Sequence, residues 1–190
     1  ITGKQFNWMM RYPGKDGVFG RKNYRLTDAS SGNALGVDWE DGSSHDDLES
    51  TEMHLVVNKP VQLVINAQDV IHDVGLPHFR MKMDAVPGIP TTLWFTPKYT
   101  TVKMKEITGN KDFVYEIACD QMCGSGHYSM KGLIIVETQE EYDSWIAIQK
   151  PQYLTVKSAE TEAAPKPAAD TLKTTVVTAS EKPIAQNTQH

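Results

Sequence analysis

Short runs in which apolar and polar positions alternate, broken at close intervals by turn formers, dominate the first 137 residues. The runs "TEMHLVV" (51–57) and "VQLVINA" (61–67) flank Asn58-Lys59-Pro60 and predict strand, turn, strand. "TTLWFT" (91–96), "VKMKEI" (102–107), "FVYEIAC" (113–119) and "LIIVE" (133–137) predict further strands, with Pro87-Gly88, Pro90, Pro97 and Gly109-Asn110 between them. No helix–strand alternation is visible, so the pattern points to an all-β antiparallel sandwich or barrel and away from a parallel α/β sheet. One helix is predicted over "TQEEYDSWIAIQ" (138–149). Thr138 and Glu141 make a capping box there, and Tyr142, Trp145, Ile146 and Gln149 recur at helical spacing. Trp145 is expected to pack on the barrel.

Composition divides the chain. From Pro151 onward Ala, Thr, Lys, Pro, Glu and Ser dominate, and the apolar pair Val176-Val177 is too little to offset the entropy of ordering. The expected organisation is one domain over 1–150 and a low-complexity, disordered tail over 151–190, its flexible part beginning near 156. Within the domain, 12–20 reads as a loop and 21–50 as a loop-rich insert. Between Arg25 and Lys59 there is no basic residue, while Asp28, Asp38, Glu40, Asp41, Asp46, Asp47, Glu49 and Glu52 all fall there. Such a stretch is either a solvated acidic loop or a negative patch that steers a basic protein partner. The net charge of -5 argues against nucleic acid as a partner. The chain has no run of apolar residues long enough to span a bilayer, and its start lacks the pattern of a signal peptide.

The chemistry concentrates in "CDQMCGSGHYSM" (119–130), which holds both cysteines of the chain. Alternation in "FVYEIAC" puts Phe113, Tyr115, Ile117 and Cys119 on one apolar face, so Cys119 is expected at the inner rim where its strand ends. Two strands then clamp the loop that follows. A disulfide across this spacing leaves His127 and Met130 without a purpose, and a structural zinc site has no use for a thioether. Inert thiols beside a packed Met and a surface His are the plain alternative. Thiolate, imidazole and thioether together form a soft ligand set, and soft ligands select copper. Cys123, His127 and Met130 need a second histidine from elsewhere, and His72 in "DVIHDVGLP" is the best placed. The extra thiol, Cys119, decides between one metal ion and two. Two thiolates can each bridge a pair of copper ions, which lets one electron be shared with little change in any bond. No coordination position is left for a substrate, so such a centre passes electrons and makes or breaks no bonds.

These residues resemble the dinuclear copper A domain of cytochrome c oxidase subunit 2. "CDQMCGSGHYSM" matches that family's C-x-E-x-C-x-x-x-H-x-x-M. "DVIHDVGLPHFRMKMDAVPGIPTTLWF" (69–95) resembles its D-V-x-H segment followed by K-x-D-A-x-P-G, and "GKQFNWMMRY" its aromatic segment after the second membrane helix. The likeness spans roughly 1–150, with 1–12 as the post-membrane aromatic segment. It implies a cupredoxin-like Greek-key β-barrel and two copper ions bridged by Cys119 and Cys123. His72 and Met130 would complete one copper, His127 and the main-chain carbonyl of Gln121 the other. Asp69 or Asp73 would orient the ring of His72. Also implied are a cytochrome c or c-type haem domain as donor and an electron path to haem in subunit 1. The domain would face the periplasm of a bacterial cell membrane, joined to it by two preceding helices that this chain lacks.

Gln121 stands where the family carries Glu, which removes the carboxylate the family uses at a magnesium ion on the subunit 1 boundary. Phe6 takes the aromatic position where electrons commonly arrive through a Trp, and Trp8 matches a neighbouring Trp. No CxxCH occurs, so the chain carries no covalent c-type haem. His78 and His54 are expected to be structural, His45 to be solvated. A single-copper carrier and the copper A domain of nitrous oxide reductase are the competing readings.

Overall fold

A computed structural model describes residues 1–163 of the chain. Ten strands form two facing five-stranded sheets. One sheet holds, from edge to edge, β3 (Leu48–Ser50), β2 (Asn7–Tyr12), β1 (Thr2–Lys4), β5 (Val61–Ala67) and β8 (Thr91–Phe95). The other holds β4 (Met53–Val56), β10 (Lys131–Glu137), β9 (Tyr115–Cys119), β6 (His72–Leu76) and β7 (Met81–Ala85). Most neighbours run antiparallel, but β1 pairs with β5 and β4 with β10 in parallel. The expected strand, turn, strand over 51–67 is present, and its turn carries the chain from one sheet to the other. Asn58 adopts a left-handed conformation there (φ 60°), and its N–H donates to Pro97 O at 2.7 Å.

Alternation set the inward faces as predicted. Leu63, Ile65 and Ala67 of β5 and Tyr115, Ile117 and Cys119 of β9 are buried between the sheets. Each fully buried aliphatic side chain there contributes about 1.5–3 kcal/mol. Trp145 packs as expected, its ring stacked on His54 at 3.9 Å. Its helix α2 (Gln139–Ile148), the second of three among the described residues, starts at a complete capping box between Thr138 and Glu141.

Two expectations need correction. "VKMKEI" is not a strand: Thr101–Thr108 forms α1. Thr100 caps it by accepting from Lys103 N, Gly109 ends it in a left-handed conformation, and Lys103 pairs with Glu106 at 2.8 Å. Six residues of alternation cannot outweigh caps at both ends. Part of the stretch expected as a disordered tail over 151–190 is ordered: Gln152–Ala163 forms α3. Its Gln152 Nε2 donates to Gly32 O at 2.8 Å, and Val156 is 3% exposed, so the insert supplies a surface that the tail's own composition could not. The rest of the tail lies outside the described residues. His45 is exposed as expected, with one ring face stacked on Tyr153 of α3 at 4.0 Å.

The insert is loop-rich as expected, and its acidic residues close it. Asp47, 1% exposed, binds Arg11 and accepts from Gly20 N at 3.0 Å. Asp38 and Asp41 pair with Arg21 at 3.3 and 3.5 Å. Because β3 pairs with Met10–Tyr12, this charge lies at the end of β2 away from the β1–β2 turn.

Candidate metal centre

Cys119 is the last residue of β9, and β10 begins immediately after Met130. The Cys119 N–H donates to Met130 O at 3.0 Å, so the antiparallel pair closes the base of the loop between them. A tight turn over His127–Ser129 then brings His127 back toward Cys123. From the neighbouring strand, His72 at the start of β6 enters beside Cys119, because Val74 and Cys119 are register partners.

The side chains these elements hold converge. The two Sγ atoms lie 3.7 Å apart. A disulfide is about 2.05 Å long, so these are two free thiols. Each has its own imidazole: His72 Nδ1 is 3.8 Å from Cys119 Sγ, and His127 Nδ1 is 3.7 Å from Cys123 Sγ. Met130 Sδ is 3.9 Å from Cys123 Sγ, and the Gln121 carbonyl oxygen is 3.1 Å from Cys119 Sγ. All six residues expected as ligands therefore meet at one place. Ligand atoms of His72, Cys119 and Cys123 lie within 4.8 Å of one another, close enough to hold a metal ion.

The surroundings explain why such a set needs a cation. Cys119, Cys123, His72 and Met130 are buried. Burial, reinforced by the neighbouring Cys119, pushes the Cys123 thiol up to about 11. Two buried thiolates side by side are unstable alone, and bound metal ions would compensate their charge. The soft donor set and its lack of any opposite charge fit copper.

Asp69 and Asp73 separate cleanly. Asp69 Oδ1 meets His72 Nε2 at 2.8 Å, which leaves Nδ1 for the sulfur side. Burial opposes ionisation of Asp69, but N–H donors from Gln5, His72 and Val70 outweigh it and hold its carboxyl below the usual range. Asp73 does not reach the ring. As the next strand residue it projects to the opposite face, near Asp84 and 3.8 Å from Lys82 Nζ, and burial raises it to about 6.

The two aromatic candidates also differ. Trp8 is 2% exposed, with its ring edge against His72 at 5.9 Å, so it is a wall of the site and offers no surface. Phe6 is 37% exposed and lies across Gly124 and Gly126, where an added Cβ would come within 3.0 and 2.5 Å of its ring. Gln5, marked in the sequence only by its place beside Phe6, joins both halves of the site. Its main-chain N–H donates to Asp69 Oδ2 at 2.7 Å and its side-chain amide to the Cys123 carbonyl at 2.6 Å. Gly3 is a second such residue, since a Cβ there would meet His72 and Trp8 at 3.0 Å. His78 is structural, accepting from Glu116 N at 3.3 Å.

The family model for the periplasmic domain of cytochrome c oxidase subunit II matches residues 1–138. The chain belongs to this family. It is 36% identical to the alternative cytochrome c oxidase subunit 2 of Bradyrhizobium diazoefficiens over 79% of this chain and 50% of that protein. It is 28% identical to cytochrome c oxidase subunit 2 of Cereibacter sphaeroides over 77% of this chain and 47% of that protein. The chain thus spans half or less of the length of these relatives, which are subunits of an oxidoreductase complex. Among solved structures, the periplasmic domain of subunit II (CoxB) of Bradyrhizobium japonicum superposes with a TM-score of 0.51 at 28% identity. That match covers 83% of this chain and 91% of that one, and it establishes the cupredoxin-like fold. Among the described residues no helix is long and apolar enough to cross a membrane.

Proposed function

We propose that this chain is the copper A domain of a haem-copper oxidase, which takes single electrons from cytochrome c or a c-type haem domain and relays them toward haem in subunit 1. The observation that carries the proposal is the doubled thiol–imidazole pair: two sulfurs 3.7 Å apart, each with its own histidine nitrogen at a similar distance. A single-copper carrier needs one thiolate and gives the second no task.

In this reading Cys119 and Cys123 would hold both of two copper ions, with His72 and Met130 completing one and His127 and the Gln121 carbonyl the other. The copper pair supplies one-electron storage shared between both ions. The chain does the rest. Burial of four of the side chains excludes water, and closure of the loop base by β9 and β10 fixes the ligands before and after the electron arrives. Asp69 fixes the tautomer of His72. Phe6, exposed over the metal loop, is the surface through which an electron reaches the site; Trp8, buried against His72, walls the centre. Gln121 offers a carbonyl but no carboxylate, so this chain contributes no charge to a magnesium ion at the subunit boundary.

The domain acts on the periplasmic side of a bacterial cell membrane, anchored through subunit 1 and membrane helices of the longer subunit. Its acidic stretch is bonded into the insert and stands away from the metal loop, so donor recognition falls to the surface around Phe6. The test is stopped-flow mixing of the copper-loaded chain with reduced cytochrome c. The proposal expects metal analysis to give two copper ions per chain and the mixture to show uptake of one electron by the copper centre. Zinc as the bound metal, or a centre that reduced cytochrome c cannot reduce, would overturn it.

A further inference from the structure

The metal loop carries glycine at 124 and 126, and Gly124 sits at φ 136°, so its backbone has little stiffness of its own. A bond from the turn joining β1 and β2 ties its apex to the barrel. We propose that Gln5 is a positioning residue of the metal centre, a clamp that holds the Cys123 end of the thiolate loop and the Asp69–His72 pair in one frame. This inference rests on the copper A reading.

Two contacts carry it. The Gln5 side-chain amide donates to the main-chain carbonyl of Cys123, a bridging ligand, at 2.6 Å. The Gln5 main-chain N–H donates at 2.7 Å to Asp69 Oδ2, whose other oxygen meets the ring of His72. One residue thus spans two ligands, His72 on a strand and Cys123 in the metal loop, 51 positions apart in sequence. The fit of turn to loop is close. A Cβ at Gly124 would lie 2.7 Å from Gln5 Nε2, and one at Gly126 would lie 2.5 Å from Phe6, so both glycines form the seat in which the turn rests. Gln5 touches neither sulfur nor imidazole. It acts by limiting how far the Cys123 sulfur and the His72 ring move relative to each other when the charge of the site changes.

The test compares the wild-type chain with Gln5→Ala, Gln5→Glu and Gly126→Ala, each loaded with copper. Gln5→Ala removes the donor and leaves the main-chain bond to Asp69. Gln5→Glu keeps the length and volume but cannot donate when ionised. Copper loss to an excess of chelator is expected to be about tenfold faster in both, the size of one lost hydrogen bond. The spin-resonance couplings of the two copper nuclei should also become unequal. Gly126→Ala, which lifts the turn from the other side, should move both readouts the same way. Thermal unfolding of the copper-free chains should stay close to wild type for the two Gln5 variants. If unfolding drops while chelator rate and couplings keep their wild-type values, Gln5 is structural and the clamp is overturned. A Gln5→Glu chain that behaves as wild type overturns it too, since packing and not donation would then be at work. If the wild-type chain itself shows no paired copper, the copper A reading fails and the clamp with it; paired copper with unaltered variants removes the clamp alone.

Discussion

Where β9 ends, two thiols, two imidazoles and a thioether face one another with no opposite charge among them. At the other end of the sandwich, Arg11, Asp47, Glu49 and Lys22 meet under the insert, and His54 lies between Glu137 and Trp145. In the second group charge is compensated within the chain: Arg11 and Asp47 are almost wholly buried and bound to each other, although Arg11 Nε, Asp47 Oδ1 and Glu49 Oε1 find no hydrogen-bond partner among the described residues. The first group is compensated by nothing in the chain. A buried cluster whose charges are matched within the chain builds the fold, and one that leaves soft donors pointing at each other is built for something that arrives later. The difference lies in the partners and not in the degree of burial, since the Arg11 and Asp47 side chains are buried as deeply as Cys119 and Cys123.

The comparison can be broken at either end. The largest effect is expected from Cys119→Ser, which takes one bridge from the metal end: the mixed-valence absorption of the copper-loaded chain should disappear while the copper-free fold persists by circular dichroism. A variant that keeps that absorption makes the centre mononuclear. At the other end, Arg11→Ala leaves Asp47 buried without its partner and should lower unfolding stability by about 3–5 kcal/mol in denaturant titrations, with the copper spectrum unchanged where the chain is folded. Asp69→Ala frees the His72 ring without removing a ligand and should weaken copper binding about 10- to 100-fold in competition titrations.

A smaller effect separates the clusters by pH. Burial pushes Glu49 up to about 7, against the pull of Arg11 and Lys22. Its folded pKa is therefore above the unfolded value, so the folded state holds the extra proton between roughly pH 4.5 and 7. Stability from this group is complete below that window and is lost as pH rises through it. Glu49→Gln cannot ionise and should be more stable than wild type at pH 8 by about 1–2 kcal/mol, allowing for partial exposure, with the gain fading toward pH 4. A constant difference at all pH values would assign the effect to packing. The smallest change is expected from Asp38→Asn with Asp41→Asn. These carboxylates pair with Arg21 in the insert, so the salt dependence of electron uptake from cytochrome c should stay near that of wild type. A marked flattening would restore the acidic stretch as a docking patch.

The metal end was far more legible in the sequence than the insert. Cys119, Cys123, His127 and Met130 sit within twelve positions, and the alternation of "FVYEIAC" already aimed Cys119 inward. His72 was found because that set lacked a histidine. Its strand β6 was not, since all five of its residues are buried and a strand covered on both faces loses its alternation. β7 does alternate, as Met81, Met83 and Ala85, but reads weakly behind the turn at Pro77. Gln5 was invisible because its work is done by an amide and a main-chain N–H across a contact that no spacing encodes. Residues 21–50 fold through Asp and Asn side chains that bond nearby backbone, so their order lies in specific partners such as Arg21 and Gly20, with no hydrophobic period to reveal it. In α3 the deciding surface belongs to the insert, and local composition pointed the wrong way.

The central claim is that the two thiols of this chain hold a pair of metal ions as one electronic unit. Electron spin resonance of the copper-loaded chain tests it most directly. The account predicts hyperfine structure from one unpaired electron shared equally by two copper nuclei; a pattern from a single copper nucleus would contradict it.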